Sequence, residues 1–170
     1  MPHVRATKQL EHRWTDLFAL VLDLKDYPNF VPHCRAVKLI RRSTDAAGRT
    51  IIVSRMSVGV SALQLSYANR TTADPAARRI EVEALDGPLR RLSVVWRFEP
   101  LEEMRTRVDF AADYAFDNPI LAALASGLFN SMLREIMNAF EQRADRLLAP
   151  RRREARRLAA HEPGSSRRQS

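Results

Sequence analysis

Cysteine is almost absent from this chain: Cys34 is the only one in 170 residues. A single thiol forms no internal disulfide and builds no cysteine-based zinc site, so the expected compartment is reducing and cytosolic. Glycine is also scarce, with five scattered residues, and no glycine-rich loop exists to cradle phosphates. The four histidines, His3, His12, His33 and His161, show no metal-ligand spacing. Neither His-Glu-x-x-His nor Gly-x-Ser-x-Gly occurs. No uncharged apolar run approaches the roughly 18 residues of a membrane span, which reads against a transmembrane helix. The N-terminal Met1–Thr7 lacks the apolar core of a secretory signal. It is also too short, before structured-looking sequence begins, for a mitochondrial presequence.

Hydrophobic residues make up 45% of the chain and charged ones 28%, enough to build a core for one domain of ordinary size. The net charge of +8 is unevenly placed: residues 151–170 hold seven arginines against two acids, +5, leaving +3 for residues 1–150. The basic character therefore belongs mostly to the C-terminal end and is weak support for nucleic-acid binding by the body; no DNA partner is expected. Residues 1–149 read as the folded unit. Pro150, the Arg run and Pro163-Gly164-Ser165-Ser166 read as a disordered Arg-rich tail over 150–170.

Period-two alternation dominates the middle of the chain. Met104, Thr106, Val108, Phe110, Ala112, Tyr114 and Phe116 share one face, with Arg105, Arg107, Asp109 and Asp113 on the other. Such a pattern predicts a strand with one buried and one wet side. Leu92, Val94, Trp96 and Phe98 repeat it, as do Ile80, Val82 and Ala84. Further strands are predicted at 3–10, 34–42, 49–58 and 61–72, separated by turn chemistry at Gly48, Gly59, Asp74-Pro75 and Asp86-Gly87-Pro88. One helix is expected from an N-cap at Thr15 to a stop before Pro28. A second, long one starts at Asn118-Pro119, where Asn caps and Pro suits the first helical position, and ends at Leu148. The order is strand, helix, six strands, helix. It predicts an α+β helix-grip fold, a seven-stranded antiparallel curved sheet wrapped around a long C-terminal helix.

The segment Leu17-Phe18-Ala19-Leu20-Val21-Leu22-Asp23, followed by Tyr27-Pro28-Asn29-Phe30-Val31-Pro32-His33-Cys34, resembles the LF-x-L-V-x-D-x-x-x-YP-x-F-x-P-x-C signature of a known family. This is the coenzyme Q-binding, RatA-like branch of the START superfamily. Gly87-Pro88-Leu89 resembles that family's Gly-Pro-Phe, Leu92 with Trp96-Arg97-Phe98-Glu99-Pro100 its L-x-x-x-W-x-F-x-P strand, and Thr106–Phe110 and Ala139–Ala144 its last strand and helix end. The likeness spans roughly residues 3–148. His33 stands where the family often has Trp, and Leu89 where it has Phe.

The resemblance implies an apolar cavity between sheet and long helix. It implies one of three roles. The first is non-enzymatic binding of ubiquinone or a related prenyl lipid in support of respiratory electron transport; the second is inhibition of ribosome association through the large ribosomal subunit. The third is the polyketide cyclase or aromatase activity found elsewhere in the superfamily. The first is the leading expectation, with ubiquinone as bound ligand and no cofactor. The location is then cytoplasmic, peripheral at the inner face of the respiratory membrane, with anionic lipid or ribosomal RNA as possible partners of the Arg tail.

Apolar stripes of this kind are usually solid core, yet a bent sheet over one helix leaves space that side chains seldom fill. The expected ligand contacts are Tyr27, Phe30, Val31 and Pro32 on a proline-pinned lip, faced by Gly87, Pro88 and Leu89. Leu92, Trp96, Phe98, Phe110, Tyr114 and Phe116 follow on the sheet, and Leu128, Phe129, Met132 and Ile136 on the helix. The two prolines are expected to hold Tyr27 and Val31 extended. Gln64, Ser66, Tyr67, Asn69 and Tyr114 are polar candidates for facing inward, although the pattern of 61–72 leaves its inner face open. Cys34 beside His33 is read as a structural thiol, since strand neighbours point to opposite sides. No catalytic or metal-binding residue is expected.

Overall fold

The computed structural model describes residues 3–60 and 62–161. The first strand β1 (His3–Leu10) leads into α1 (Trp14–Leu22) and a 3-10 turn at Leu24–Asn29. Six strands follow: β2 (Cys34–Thr44), β3 (Thr50–Val60), β4 (Leu63–Asp74), β5 (Arg79–Ala84), β6 (Leu89–Glu102) and β7 (Arg105–Phe116). The chain then enters α2 (Pro119–Ala160). The sheet order is β1-β7-β6-β5-β4-β3-β2, with every neighbouring pair antiparallel. This is the predicted helix-grip architecture.

Alternation works as expected along β6 and β7. Leu92, Val94, Trp96 and Phe98 are buried, as are Thr106, Val108, Phe110, Ala112, Tyr114 and Phe116. The wet side carries cross-strand ion pairs such as Arg70–Glu83 at 3.6 Å and Arg107–Glu99 at 3.8 Å; exposed pairs of this kind contribute little, about 0–1 kcal/mol. Asn118 caps α2, its side-chain oxygen accepting from the backbone N–H of Ile120 at 2.8 Å and of Leu121 at 3.4 Å. The buried seam of α2 is Ala125, Phe129, Met132, Leu133, Met137, Phe140 and Ala144, a spacing that keeps one helix face on the sheet. His12 ties the β1–α1 connection to that helix, its Nε2 lying 2.8 Å from Asp145 Oδ1.

Several expectations need correction. Helix α1 begins at Trp14, with Arg13 in the N-cap position and no side-chain cap, so Thr15 lies inside the helix. Tyr27 is not extended; it sits within the 3-10 turn, which carries Pro28 inside it. Proline's bias against α conformation in the preceding residue is a preference, and here the packing of Tyr27 on α2 overrides it.

Helix α2 does not end at Leu148, and residues 150–160 are not a disordered tail. The helix continues to Ala160. Pro150 removes one backbone donor, leaving the Arg146 carbonyl without its usual partner. The following Arg, Glu, Ala and Leu residues are strong helix formers and carry the helix onward. The expected tail beyond His161 lies outside the described residues.

By length and composition, the Pro119–Ala149 stretch is apolar enough to cross a membrane, contrary to the sequence-based exclusion. A core helix passes the same test, and the inner face of α2 is indeed packed on the sheet. Leu124 and Leu147, by contrast, are exposed on α2.

Candidate functional site

Between the inner face of the sheet and α2 lies a cavity with about 70 Å³ open to the centre of a water-sized sphere. One water needs roughly 10–15 Å³ by this measure, so the space exceeds a packing defect. Its floor is formed by Leu92, Val94, Trp96 and Phe110 from β6 and β7, its roof by Phe129, Met132, Leu133, Ile136 and Phe140 from α2. Leu24, Tyr27, Val31 and Cys34 close one side. The remaining wall comes from β3, β4 and β5, where Ser54, Met56, Val58, Tyr67, Asn69, Thr71 and Val82 point inward.

Of the residues expected from sequence, Tyr27, Val31, Leu92, Trp96, Phe110, Phe129, Met132 and Ile136 line this cavity. The others stand elsewhere. Phe30 packs edge-on against Phe140 at 4.9 Å, behind the wall. Phe98 borders a separate small void beside Leu10, Leu17 and Met137. Tyr114 is buried with its hydroxyl donating to the Ser126 carbonyl at 3.1 Å, and Phe116 packs on Phe129 at 5.8 Å. Leu89 is buried core, Gly87 is exposed, and Pro88, Pro32 and Leu128 are half-buried outside the lining.

Gly87 has a supporting role all the same. Its φ of +87° suits glycine, and a Cβ there would meet the Ser66 carbonyl at 2.7 Å and Tyr67 Cβ at 2.8 Å. The turn thus presses directly behind a cavity-wall residue. Asp86 holds it there, accepting from the Ala68 N–H at 2.7 Å and from Arg55 at 2.7 Å.

The lip is clasped to α2. Arg143 donates to Asp26 at 3.1 and 3.2 Å, and its guanidinium lies over the Phe30 ring at 5.4 Å. Tyr27, Phe30 and Phe140 form a mutually edge-on cluster. The Tyr27 hydroxyl donates to the Val21 carbonyl, so it is committed to the scaffold.

The structure settles which side of residues 61–72 faces inward. Leu65, Tyr67, Asn69, Thr71 and Ala73 are buried, while Gln64 and Ser66 are exposed. Ser54 and Thr71 escaped the sequence reading. Ser54 shares an alternating face with Ile52, Met56 and Val58, and a lone hydroxyl on such a face was the available signal. Ser54 and Asn69 are register partners across β3 and β4, 1% and 2% exposed. Ser54 Oγ and Asn69 Oδ1 have no hydrogen-bond partner. Most buried polar groups are paired, so these two atoms side by side give the cavity wall hydrogen-bonding capacity that the fold itself does not use.

Titratable groups here are held neutral. Burial pushes the Cys34 thiol up to about 11. Burial first, and then proximity to Cys34, raises Tyr67, whose hydroxyl lies 3.7 Å from Met56 Sδ. Tyr27 is raised by burial, with Cys34 and Asp23 adding to it. Among the described residues, no cluster of three or more His, Cys, Asp or Glu side chains could hold a metal ion.

A curved antiparallel sheet gripping one long helix, with an apolar cavity between them, is the START-like helix-grip fold. Within it, the chain belongs to the polyketide cyclase / dehydrase and lipid transport family, whose sequence profile matches residues 9–141. It is 28% identical over 145 residues to the ribosome association toxin RatA of Pseudomonas aeruginosa, covering 85% of this chain and 96% of that one. It is 26% identical over 141 residues to the mitochondrial coenzyme Q-binding protein coq10 of Schizosaccharomyces pombe, covering 82% and 85%. Among solved structures, the 18 kDa protein CC1736 from Caulobacter crescentus is 34% identical, with a TM-score of 0.69 and coverage of 88% of this chain and 99% of that one.

Proposed function

We propose that this protein binds a prenyl quinone, ubiquinone or a close relative, without catalysing its conversion, and holds it for respiratory electron transport at the inner face of the membrane. The observation that carries this reading is the cavity itself: apolar walls of Trp96, Phe110, Phe129 and Met132 with an unpartnered polar pair, Ser54 and Asn69, on one side. An apolar enclosure with few, placed polar groups is the usual form of a small-molecule site. The relative named for coenzyme Q binding supports the choice of ligand. Neutral Cys34, Tyr27 and Tyr67 leave no lining acid or base poised near pH 7, which favours holding over catalysis.

Size sets a condition. Ligand sites commonly measure roughly 300–1,000 Å³, so the cavity of about 70 Å³ widens on binding. Flexible Met56 and Met132 in the wall allow that adjustment. Ile120 and Leu124, 73% and 68% exposed near the start of α2, suit contact with a bilayer from which a lipid is drawn.

Mass spectrometry of the lipid extract from protein purified out of membrane-containing lysate tests the reading. The expected result is a stoichiometric long-chain quinone. An empty protein that also takes up no quinone from liposomes overturns it.

A second reading has its own support. The relative named for ribosome association aligns over 96% of its length, and Arg153, Arg156 and Arg157 stand exposed on the end of α2, where phosphate contacts are available. Cosedimentation with the large ribosomal subunit, with and without residues 151–170, decides it: salt-sensitive binding lost on truncation supports it, and no binding removes it.

A further inference from the structure

We infer that the cavity selects a ligand carrying a hydroxyl donor over the acceptor-only form of the same shape; for a prenyl quinone, it holds the reduced quinol in preference to the oxidised quinone. This rests on the prenyl-quinone reading for its natural ligand, but the hydrogen-bond argument applies to any phenol of similar form.

Ser54 and Asn69 face each other across β3 and β4, both almost fully buried, and both line the cavity. The Ser54 hydroxyl and the Asn69 carboxamide oxygen lack partners. The two tyrosine hydroxyls of the wall do not relieve them. The Tyr27 hydroxyl is spent on the Val21 carbonyl, and the Tyr67 hydroxyl is turned to Met56 Sδ.

A carboxamide offers one acceptor and two donors, and a serine hydroxyl offers both roles. The oxygens of an oxidised quinone only accept. They can take a proton from Ser54 or from the Asn69 amide, but they give nothing to the Asn69 oxygen. As the side chain is oriented, its oxygen and not its nitrogen is the buried atom left without a partner. A quinol hydroxyl gives its proton to Asn69 and accepts from Ser54, meeting both orphans at once. The two redox forms differ by two hydrogens, so shape cannot distinguish them and hydrogen-bond polarity does. A site with a buried polar group rejects the analogue that leaves it unpaired.

The expected preference is on the order of tenfold. For a two-electron couple, a tenfold preference for the reduced form raises the midpoint potential of the bound pair by about 30 mV.

The test is an anaerobic titration of the full chain with decylubiquinol and decylubiquinone, and in parallel with 4-nonylphenol and its methyl ether. Each is repeated with Asn69→Leu and Ser54→Ala, with circular dichroism to verify folding. Tighter binding of quinol and phenol in the native chain, collapsing towards equality in Asn69→Leu, is the expected result. Equal affinities within each pair overturn the inference and leave the quinone reading standing. Binding of phenol over ether with neither quinone form bound supports donor selection and overturns the quinone reading. No binding of any probe overturns both.

Discussion

If Ser54 and Asn69 are kept for a ligand, removing their polarity should make the empty protein more stable while making it a worse binder. Asn69→Leu is the sharper case. The side chain is 2% exposed, its oxygen is unpartnered, and it borders about 70 Å³ of open space. A buried unsatisfied group costs about 1–3 kcal/mol, a cost that an apolar side chain of similar size does not carry. The adjoining space accepts leucine's branching without the overpacking that penalises a full core, and leucine fits a half-buried strand better than asparagine.

The predicted gain is about 1–3 kcal/mol, or roughly 3–9 °C in Tm for a chain of this size. Ser54→Ala should follow in the same direction by about 1 kcal/mol. As cross-strand neighbours the two substitutions should not add simply. Urea denaturation of ligand-free protein measures the stability and quinone titration the affinity. Destabilisation of Asn69→Leu by 1 kcal/mol or more, with the denaturant slope unchanged, would refute the reasoning, because the carboxamide would then be a satisfied structural group.

Three further outcomes are expected. Gly87→Ala forces a side chain into positive φ and against the Ser66 carbonyl, so it should cost about 2 kcal/mol or more in urea denaturation and displace Tyr67 from the cavity wall. With the Cys34 thiol raised in the fold from 9.0 to about 11, folding favours its protonated form. That contribution is complete below the ordinary thiol value and is lost as pH climbs through about 11. Stability should therefore decline across this window, less steeply in Cys34→Ala, and a thiol-reactive probe should label the native protein slowly at pH 8; rapid labelling would contradict the burial. Arg143→Met removes the clasp on Asp26, a half-buried pair, and should cost about 1–3 kcal/mol. It should also speed lipid exchange measured by transfer between vesicles, and an unchanged exchange rate would show that the lip is not a gate.

Much of this architecture is written in local chemistry. The strands β6 and β7 were legible because a period of two, with Arg and Asp opposite Val, Phe and Tyr, has one physical reading. The start of α2 was legible because Asn118-Pro119 caps a helix whatever surrounds it. The family signature over Leu17–Cys34 led to the expectation of a cavity, and eight of the expected ligand contacts, together with Tyr67 and Asn69 of the polar candidates, line it.

Other features had to wait for the third dimension. Residues 61–72 mix polar and apolar on both faces, so only their pairing with β3 and β5 turned Tyr67, Asn69 and Thr71 inward. Leu124 and Ala125 are adjacent apolar residues, and the angle at which α2 meets the sheet buried the alanine and exposed the leucine. Pro150 read as a stop because proline's local penalty was visible, whereas the helix propensity of the residues beyond it carried α2 to Ala160. The sequence by itself determined periodicity, capping and turns, which depend on neighbours along the chain. Only the tertiary structure decided which polar atoms lose water without finding a partner, because that depends on what the curvature of the sheet and the placement of one helix bring together.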